Sequence, residues 1–267
     1  MTISNTYRTL SVLSIDVVVG AVCGAVFFTE VFHQRTEPLP LVALAITVWV
    51  VYTLDHLSDA ISKRRAGQTW RRSFHYTNRK KLLLFVIAGL VINSIIAWYL
   101  PIEILKAGFM LIIPVAAYLL LQHRIQWLKE IMVAILYTGG ILVPSAARVT
   151  FQFENVMLVV AFMGIACSNL LIFSRYDYAA DLAENRNSFV TVWGLDRSAL
   201  VIRLILAGTI LCLLFTGMKL PTFILLTMTF LHWILFASEE YFGRKQLFRF
   251  TGDAIFFLPA CILLFNS

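Results

Sequence analysis

Long uninterrupted apolar segments are the feature of this sequence that most restricts its fold. A helix of about 20 apolar residues crosses a hydrocarbon core of about 30 Å. Nine segments of suitable length, bounded by charged residues, proline or glycine, are 11–33, 38–59, 80–100, 102–122, 127–148, 155–178, 196–217, 221–240 and 250–266. They predict an all-α, polytopic membrane protein with nine transmembrane helices in a single domain, 1–267.

The composition supports a membrane location. Of the 267 residues, 60% are hydrophobic and 14% charged, whereas about a quarter of the residues in soluble domains are charged. The formal net charge of +7 does not indicate nucleic-acid binding, because the basic residues lie between apolar segments. The four cysteines lie singly in apolar stretches, which indicates neither a disulfide framework nor a zinc site. The first segment lacks a recognisable cleavage site and is expected to remain as a span.

Basic residues accumulate in alternate connections, which predicts the orientation in the membrane. With the N-terminus in the cytosol and the C-terminus outside, nearly all Lys and Arg residues face the cytosol. Apart from Arg203, which lies inside a span, the exceptions are Arg35, Lys106, Arg148 and Lys219. In a cell inner (plasma) membrane, the two longest polar connections, 60–79 and 179–195, are then cytosolic.

Two Asp-x-x-x-Asp pairs end the second and sixth predicted spans at this cytosolic side: Asp55 with Asp59, and Asp177 with Asp181. Residues four apart share a helix face, with Cβ atoms about 5–6 Å apart, so each pair can present two carboxylates to one cation. Anions at a helix C-terminus are unfavourable unless a cation binds there. Mg²⁺ meets this need, because it often bridges carboxylates and substrate phosphates. The four aspartates are therefore the candidate metal ligands and catalytic residues.

The two pairs occupy matching places, since both aspartates of one lie 122 residues from their counterparts in the other. This spacing predicts two four-helix pseudo-repeats followed by one further helix. The alternative is that the pairs are solvated helix ends. The equal offset, the same predicted side and the polar loop after each pair favour a site.

At the second pair the chain resembles the UbiA superfamily of intramembrane prenyltransferases. Members of this family have nine helices, with aspartate-rich motifs on helices two and six. The stretch Asp177-Tyr-Ala-Ala-Asp181-Leu-Ala-Glu-Asn-Arg-Asn-Ser188-Phe-Val-Thr-Val-Trp-Gly194 follows the family pattern without a gap. Asn185 replaces the turn glycine, and asparagine tolerates the left-handed conformation that such a turn requires. The stretch Trp127-Leu-Lys129-Glu is similar to the family segment in which a lysine contacts diphosphate.

The first pair departs from the family motif N-D-x-x-D-x-x-x-D. Asp55 stands at the Asn position, His56 replaces the following Asp, Asp59 keeps the central Asp, and Lys63 stands where the last Asp is expected. A lysine in that place removes a potential metal ligand and adds a partner for phosphate. This departure leaves the number of metal ions and the substrate open.

The resemblance implies Mg²⁺-dependent transfer of a prenyl group from an isoprenoid diphosphate to an aromatic or other lipophilic acceptor. Arg and Lys suit phosphate binding, although a basic cytosolic loop is also expected from contact with anionic membrane lipids. The candidate phosphate contacts are Lys63, Arg64, Arg71, Arg72, Lys129 and Arg186. Asp16, a polar residue inside a span, is the candidate for lining an acceptor pocket.

Three alternatives stay open. A membrane transporter also has many spans, and its site usually lies near broken helices at mid-membrane; Gly139, Gly140 and Pro144 are where the fifth span would break. A terpene cyclase of UbiA type would use the same site without an acceptor. A non-catalytic relative would retain binding alone. The segment 70–76 either caps the site or lies at the membrane interface.

Overall fold

The chain folds as a bundle of helices in the computed structural model, which describes residues 9–62, 70–122, 124–146, 149–217, 219–243 and 246–265. In chain order the helices are α1 (Ile15–Val31), α2 (Pro38–Ser62), α3 (Trp70–Thr77), α4 (Arg79–Ala97), α5 (Ile102–Leu121), α6 (Lys129–Ala146), α7 (Phe153–Tyr176), α8 (Tyr178–Ala183), α9 (Phe189–Trp193), α10 (Leu195–Leu214), α11 (Leu220–Ala237), α12 (Glu239–Gly243) and α13 (Leu247–Ile255). A 3-10 helix, Leu258–Leu264, continues from α13.

Eight helical segments in the described part of the chain are long and apolar enough to cross a membrane. They are α2, α4, α5, α6, α7, α10, α11 and the unit formed by α13 and its 3-10 extension. The predicted first span is α1, whose 17 residues extend about 25 Å at 1.5 Å per residue. It is short because Ser14 and His33, which flank it, have φ angles of 56° and 53°. The chain is thus a multi-pass membrane protein, and the predicted orientation stays a prediction.

Helix α7 forms the centre of the bundle, and α4 and α5 lie at its edge. Phe162, Ile165 and Leu171 of α7 are fully buried, where α7 packs against α6, α10 and α11. By contrast, Trp98 after α4 is 88% exposed and Leu120 of α5 is 81% exposed. Broad apolar exposure of this kind is rare in soluble monomers and indicates a surface for lipid.

Helix α6 is continuous across the two glycines and the proline at which the transporter alternative would place a break. It runs unbroken from Lys129 to Ala146, so this feature of the transporter alternative is not observed. The two glycines instead permit close packing, since a Cβ atom at Gly139 would lie 3.2 Å from a methyl group of Leu111 on α5. A proline near the end of a helix loses few backbone hydrogen bonds, because few carbonyls remain beyond it.

Candidate active site

The first carboxylate pair lies on one face of α2 and holds an ammonium group between its members. The Lys129 Nζ, at the start of α6, is 3.0 Å from Asp55 Oδ1 and 3.0 Å from Asp59 Oδ2. From α5, the Tyr118 hydroxyl donates a hydrogen bond of 2.7 Å to Asp55 Oδ1. Three helices therefore meet at this pair, and both carboxylates point to the same cation.

The second pair lies where α7 gives way to α8. Asp177 caps the end of α7 and Asp181 belongs to α8. The Asp181 amide still donates to the Asp177 carbonyl at 2.8 Å, so the spacing of one helical turn survives this junction. Arg249 of α13 donates to Asp177, and Arg72 of α3 donates to Asp181 at 3.0 Å. The Arg72 guanidinium also contacts Glu184.

Each pair receives an arginine from the segment that follows the other pair. Arg186, which follows the second pair, lies 2.5 Å from Asp59 Oδ2. Arg72, which follows the first pair, reaches Asp181. Arg186 also acts electrostatically on Asp181, so it lies between the two pairs. The structure thus brings together at one end of the bundle two carboxylate pairs that lie far apart in the sequence; we call this the polar end.

Local sequence fixes the position of Arg186. Asn185 has a φ of 50°, which confirms the left-handed turn expected at this residue. The Ser188 side chain then caps α9, and the Phe189 amide donates to the Glu130 carboxylate of α6 at 3.2 Å. The turn and this link to α6 hold the Arg186 segment against the polar end.

Helix α3 covers the polar end. Its Arg71 donates to the Ser11 carbonyl at 2.8 Å and to the Ser11 hydroxyl at 3.0 Å, while Arg72 reaches the second pair. The His75 side chain is only 2% exposed, and its ring centroid lies 5.1 Å from that of His56 on α2. These contacts tie α3 to the second carboxylate pair, to α2 beside the first pair and to the segment before α1, as expected of a cap.

Asp16 lies beside the cap rather than against either pair. It is buried at the start of α1, and Asp253 of α13 is buried as well. The two carboxyl groups are within hydrogen-bonding reach of each other, and both act electrostatically on Arg71. The acceptor-lining role predicted for Asp16 stays a prediction.

Sequence reasoning missed three groups of this site and named two that lie outside the described residues. The missed groups are Tyr118, Glu184 and Arg249. Glu184 stands three residues after Asp181, so the helical pattern of the motif, extended by one turn, would have found it. Tyr118 and Arg249 approach from distant helices, and no local pattern marks them. Lys63 and Arg64 are the two predicted contacts outside the described residues.

Burial and charge shift the pKa values of two site groups that lie outside the membrane-spanning segments. Burial raises the pKa of Asp181 above its usual value, although the hydrogen bond from Arg72 opposes this rise. Burial would lower the pKa of Arg186, but the nearby Asp59, Asp181 and Glu184 carboxylates raise it overall. Arg186 is therefore a permanent cation, whereas Asp181 loses its charge more readily than an exposed aspartate.

Solved structures of known proteins match this arrangement of helices. A UbiA homolog from Aeropyrum pernix K1 superposes with a TM-score of 0.68 at 13% identity, over 95% of this chain and 97% of that one. This chain has the UbiA fold. A UbiA homolog from Archaeoglobus fulgidus bound to DMAPP and Mg²⁺ gives a TM-score of 0.65 at 13% identity, over 95% of this chain and 99% of that one. The structure bound to GPP and Mg²⁺ gives 0.67 at 14% identity, over 92% and 98%.

By sequence, no family model and no curated protein matches the chain. The resemblance to UbiA proteins is therefore confirmed at the level of the fold. This result depends on the path of the backbone, which is preserved at an identity too low for sequence comparison.

The described residues do not provide a complete set of metal ligands. No group of three or more His, Cys, Asp or Glu side chains in the described part of the chain is arranged to hold a metal ion by itself. Mg²⁺, however, is commonly held by one or two carboxylates together with substrate phosphates and waters. The second pair suits this role, because its arginines engage Asp177 through Oδ2 and Asp181 through Oδ1. Its two other oxygens accept no hydrogen bond from any described residue.

Proposed function

We propose that this chain is a UbiA-superfamily enzyme that transfers a prenyl group from an isoprenoid diphosphate to a lipophilic acceptor in the membrane. The observation that carries the proposal is the meeting of both Asp-x-x-x-Asp pairs with Lys129, Arg72 and Arg186 at one end of a UbiA fold. Carboxylates and cations interleaved in this way suit a metal-bound diphosphate better than either charge alone.

The reaction is a substitution at the first carbon of the prenyl chain. The bond between this carbon and the diphosphate oxygen breaks, the electron pair leaves with pyrophosphate, and the allylic carbocation is attacked by the acceptor, which then loses a proton. Bound Mg²⁺ would supply charge neutralisation for the departing pyrophosphate. Within the chain, Asp55, Asp59, Asp177 and Asp181 are the carboxylates proposed to line the site, with at least one of the two pairs holding the ion, and the cations between them stabilise the developing negative charge.

The cations of the polar end have distinct proposed roles. Lys129 acts as a compact point charge, whereas Arg72 and Arg186 can each hold two phosphate oxygens with one guanidinium. Arg71 binds Ser11 and keeps α3 over the site, so that water is kept from the carbocation. Lys63 and Arg64 are proposed as further phosphate contacts on the basis of the sequence.

The acceptor is proposed to be an aromatic or other lipophilic molecule that enters from the bilayer. Asp16 and its neighbour Asp253 lie beside the cap, where a polar group of such an acceptor has buried hydrogen-bonding partners. The site is proposed to face the cytosol at the inner membrane, and the accumulation of Lys and Arg in alternate connections supports this. No role in nucleic-acid binding is proposed.

A transporter is disfavoured by two observations. Helix α6 lacks the break that a transporter would need at its glycines and proline. Both carboxylate pairs lie at the polar end of the bundle, whereas carriers usually bind their substrates at mid-membrane. A terpene cyclase of UbiA type and a binding protein without catalysis use the same residues, so they are separated from the proposal by experiment.

The experiment uses the purified full chain in nanodiscs with Mg²⁺ and a panel of prenyl diphosphates from DMAPP to longer chains. Pyrophosphate release is followed with and without a lipid extract that supplies acceptors. We expect acceptor-dependent release by the wild-type protein and its near loss in Asp177→Asn. A cyclic hydrocarbon formed without an acceptor would indicate the cyclase, and no consumption of any diphosphate by folded protein would refute the enzymatic proposal.

A matched control is Lys219→Gln. Lys219 lies 2.8 Å from Glu154, and both side chains are about half exposed or more, in a pair that shares no residue with the polar end. This substitution breaks an ion pair, as the substitutions at the polar end do. We expect its activity to equal that of the wild type.

A further inference from the structure

The first carboxylate pair already has a cation in the place where a metal ion would bind. The Lys129 ammonium lies 3.0 Å from one oxygen of Asp55 and 3.0 Å from one oxygen of Asp59. These same oxygens have further donors, because Tyr118 donates to the Asp55 oxygen and Arg186 to the Asp59 oxygen. The two carboxylate charges are balanced by two basic side chains, and the oxygens that converge are occupied.

Replacing this ammonium group with a divalent ion is unfavourable. The Lys129 side chain is 22% exposed, Asp55 13% and Asp59 16%, so these charges are largely shielded from water. A Mg²⁺ ion held at about 2.0–2.1 Å from both oxygens would occupy the position of the Lys129 Nζ. The displaced ammonium would lose both partners next to a second positive charge, and unpairing a buried ion costs more than a surface pair gains.

The second pair keeps one oxygen of each aspartate open. Arg249 engages Asp177 through Oδ2, and Arg72 engages Asp181 through Oδ1. The other oxygen of each aspartate accepts no hydrogen bond from any described residue. A divalent ion can therefore approach these two oxygens without displacing a paired cation, whereas at the first pair it meets the Lys129 ammonium.

From this difference we propose that the two pairs have different roles in binding a diphosphate. The Asp177–Asp181 pair takes the divalent ion. The Asp55–Asp59 pair takes none, and serves to position Lys129 and Arg186 so that they bind the diphosphate directly. This inference rests on the proposed function and makes it more specific, since it assigns the metal to one half of the site and the direct cationic contacts to the other.

The test counts bound ions rather than turnover. Mn²⁺ replaces Mg²⁺, the unreactive analogue geranyl S-thiolodiphosphate replaces the substrate, and bound Mn²⁺ is measured by electron paramagnetic resonance on the full chain in nanodiscs. We expect a single ion per chain in the presence of the analogue. Asp181→Asn should lose it, and Asp59→Asn should keep it. Two ions per chain in the wild type would overturn the proposal without the need for any variant.

Lys129→Met gives an independent measurement on the same samples. Removal of the ammonium should weaken analogue binding roughly 10- to 100-fold, as expected for the loss of one charged hydrogen-bond donor. It also exposes two carboxylates, so a second Mn²⁺ ion should appear. Analogue affinity equal to that of the wild type would contradict the proposed role of Lys129.

The same experiment distinguishes a failure of this inference from a failure of the proposed function. Binding of the analogue with two ions per chain contradicts the assignment of a single ion to the Asp177–Asp181 pair and leaves the proposed function intact. Absence of analogue binding, with or without Mn²⁺, contradicts the proposed function and this inference together. Thermal unfolding of each variant, compared with Lys219→Gln, identifies any loss that arises from misfolding.

Discussion

The two carboxylate pairs share a sequence pattern but differ in the structure around them. The first lies within the unbroken helix α2 and encloses the ammonium of Lys129. The second lies at the junction of α7 and α8, where Arg249 contacts Asp177 and Arg72 contacts Asp181. The two pairs therefore lie at the same end of the bundle, whereas the cations that contact them differ in kind and arrangement.

This difference teaches that two segments with the same aspartate spacing can lie at the same end of a fold and still contact different cations. The i and i+4 spacing needs only one turn of helix, which both segments retain. The charge that the pair can accept depends on residues from other helices, such as Lys129 for the first pair and Arg249 for the second.

The strongest test of the difference between the two pairs is to remove one carboxylate from each. We expect Asp177→Asn to lower kcat/KM for pyrophosphate release by about 100- to 1000-fold, since it removes electrostatic stabilisation of the leaving group. Asp59→Asn should lower it by about 10- to 100-fold, because the cations lose their positioning. Rates measured over a Mg²⁺ titration should show a changed half-saturation only for Asp177→Asn. The reverse order would contradict the division between the pairs.

The next largest effect is expected from substitution of Arg186 or Arg72, each of which contacts the carboxylate pair that it does not follow in sequence. Arg186→Gln should weaken analogue binding about tenfold or more, as one charge-assisted contact is lost. Arg72→Gln should weaken it similarly and should also release α3, because Arg72 joins that helix to the second pair. Hydrogen exchange of the amides in α3 measures the release. Equal protection of α3 in both variants would show that the cap does not depend on Arg72.

A smaller effect is expected from Tyr118→Phe. This change removes the hydroxyl that donates to Asp55 at 2.7 Å and leaves the ring in place. The net value of such a hydrogen bond is about 0.5–1.5 kcal/mol, so kcat/KM should fall roughly 2- to 12-fold. Tyr99→Phe is the matched control, since Tyr99 is 74% exposed at the edge of the bundle. An unchanged rate in Tyr118→Phe would remove Tyr118 from the site.

The smallest effect is a dependence on pH. A carboxyl group must be ionised to hold a metal ion, and burial raises the pKa of Asp181 above its usual value. Mn²⁺ affinity should therefore begin to fall at a higher pH than for an exposed aspartate, whose pKa is about 3.9. Paramagnetic resonance titrations on acidification from neutral pH measure this decline. An affinity that stays constant until the usual carboxyl range would contradict the assignment of the ion to Asp181.

Much of the fold was predictable because membrane spans obey a simple length rule. Eight of the predicted spans match helical segments, within a few residues at each end. The prediction missed the shortness of α1, which depends on left-handed residues at its ends, and it left open a break in α6 that the structure does not have. Glycine and proline permit a break, but neighbouring helices decide whether one forms.

The sequence alone determined the apolar segments, the two aspartate pairs and the polar loops, because each is a local pattern with a helical period. It also indicated the left-handed turn at Asn185. Only the tertiary structure decided which cation meets which carboxylate: Lys129 with the first pair, Arg249 with the second, and an arginine exchanged in each direction. The physical reason is that charge pairing acts over a few ångströms of space, and those distances are set by the packing of helices that lie far apart along the chain.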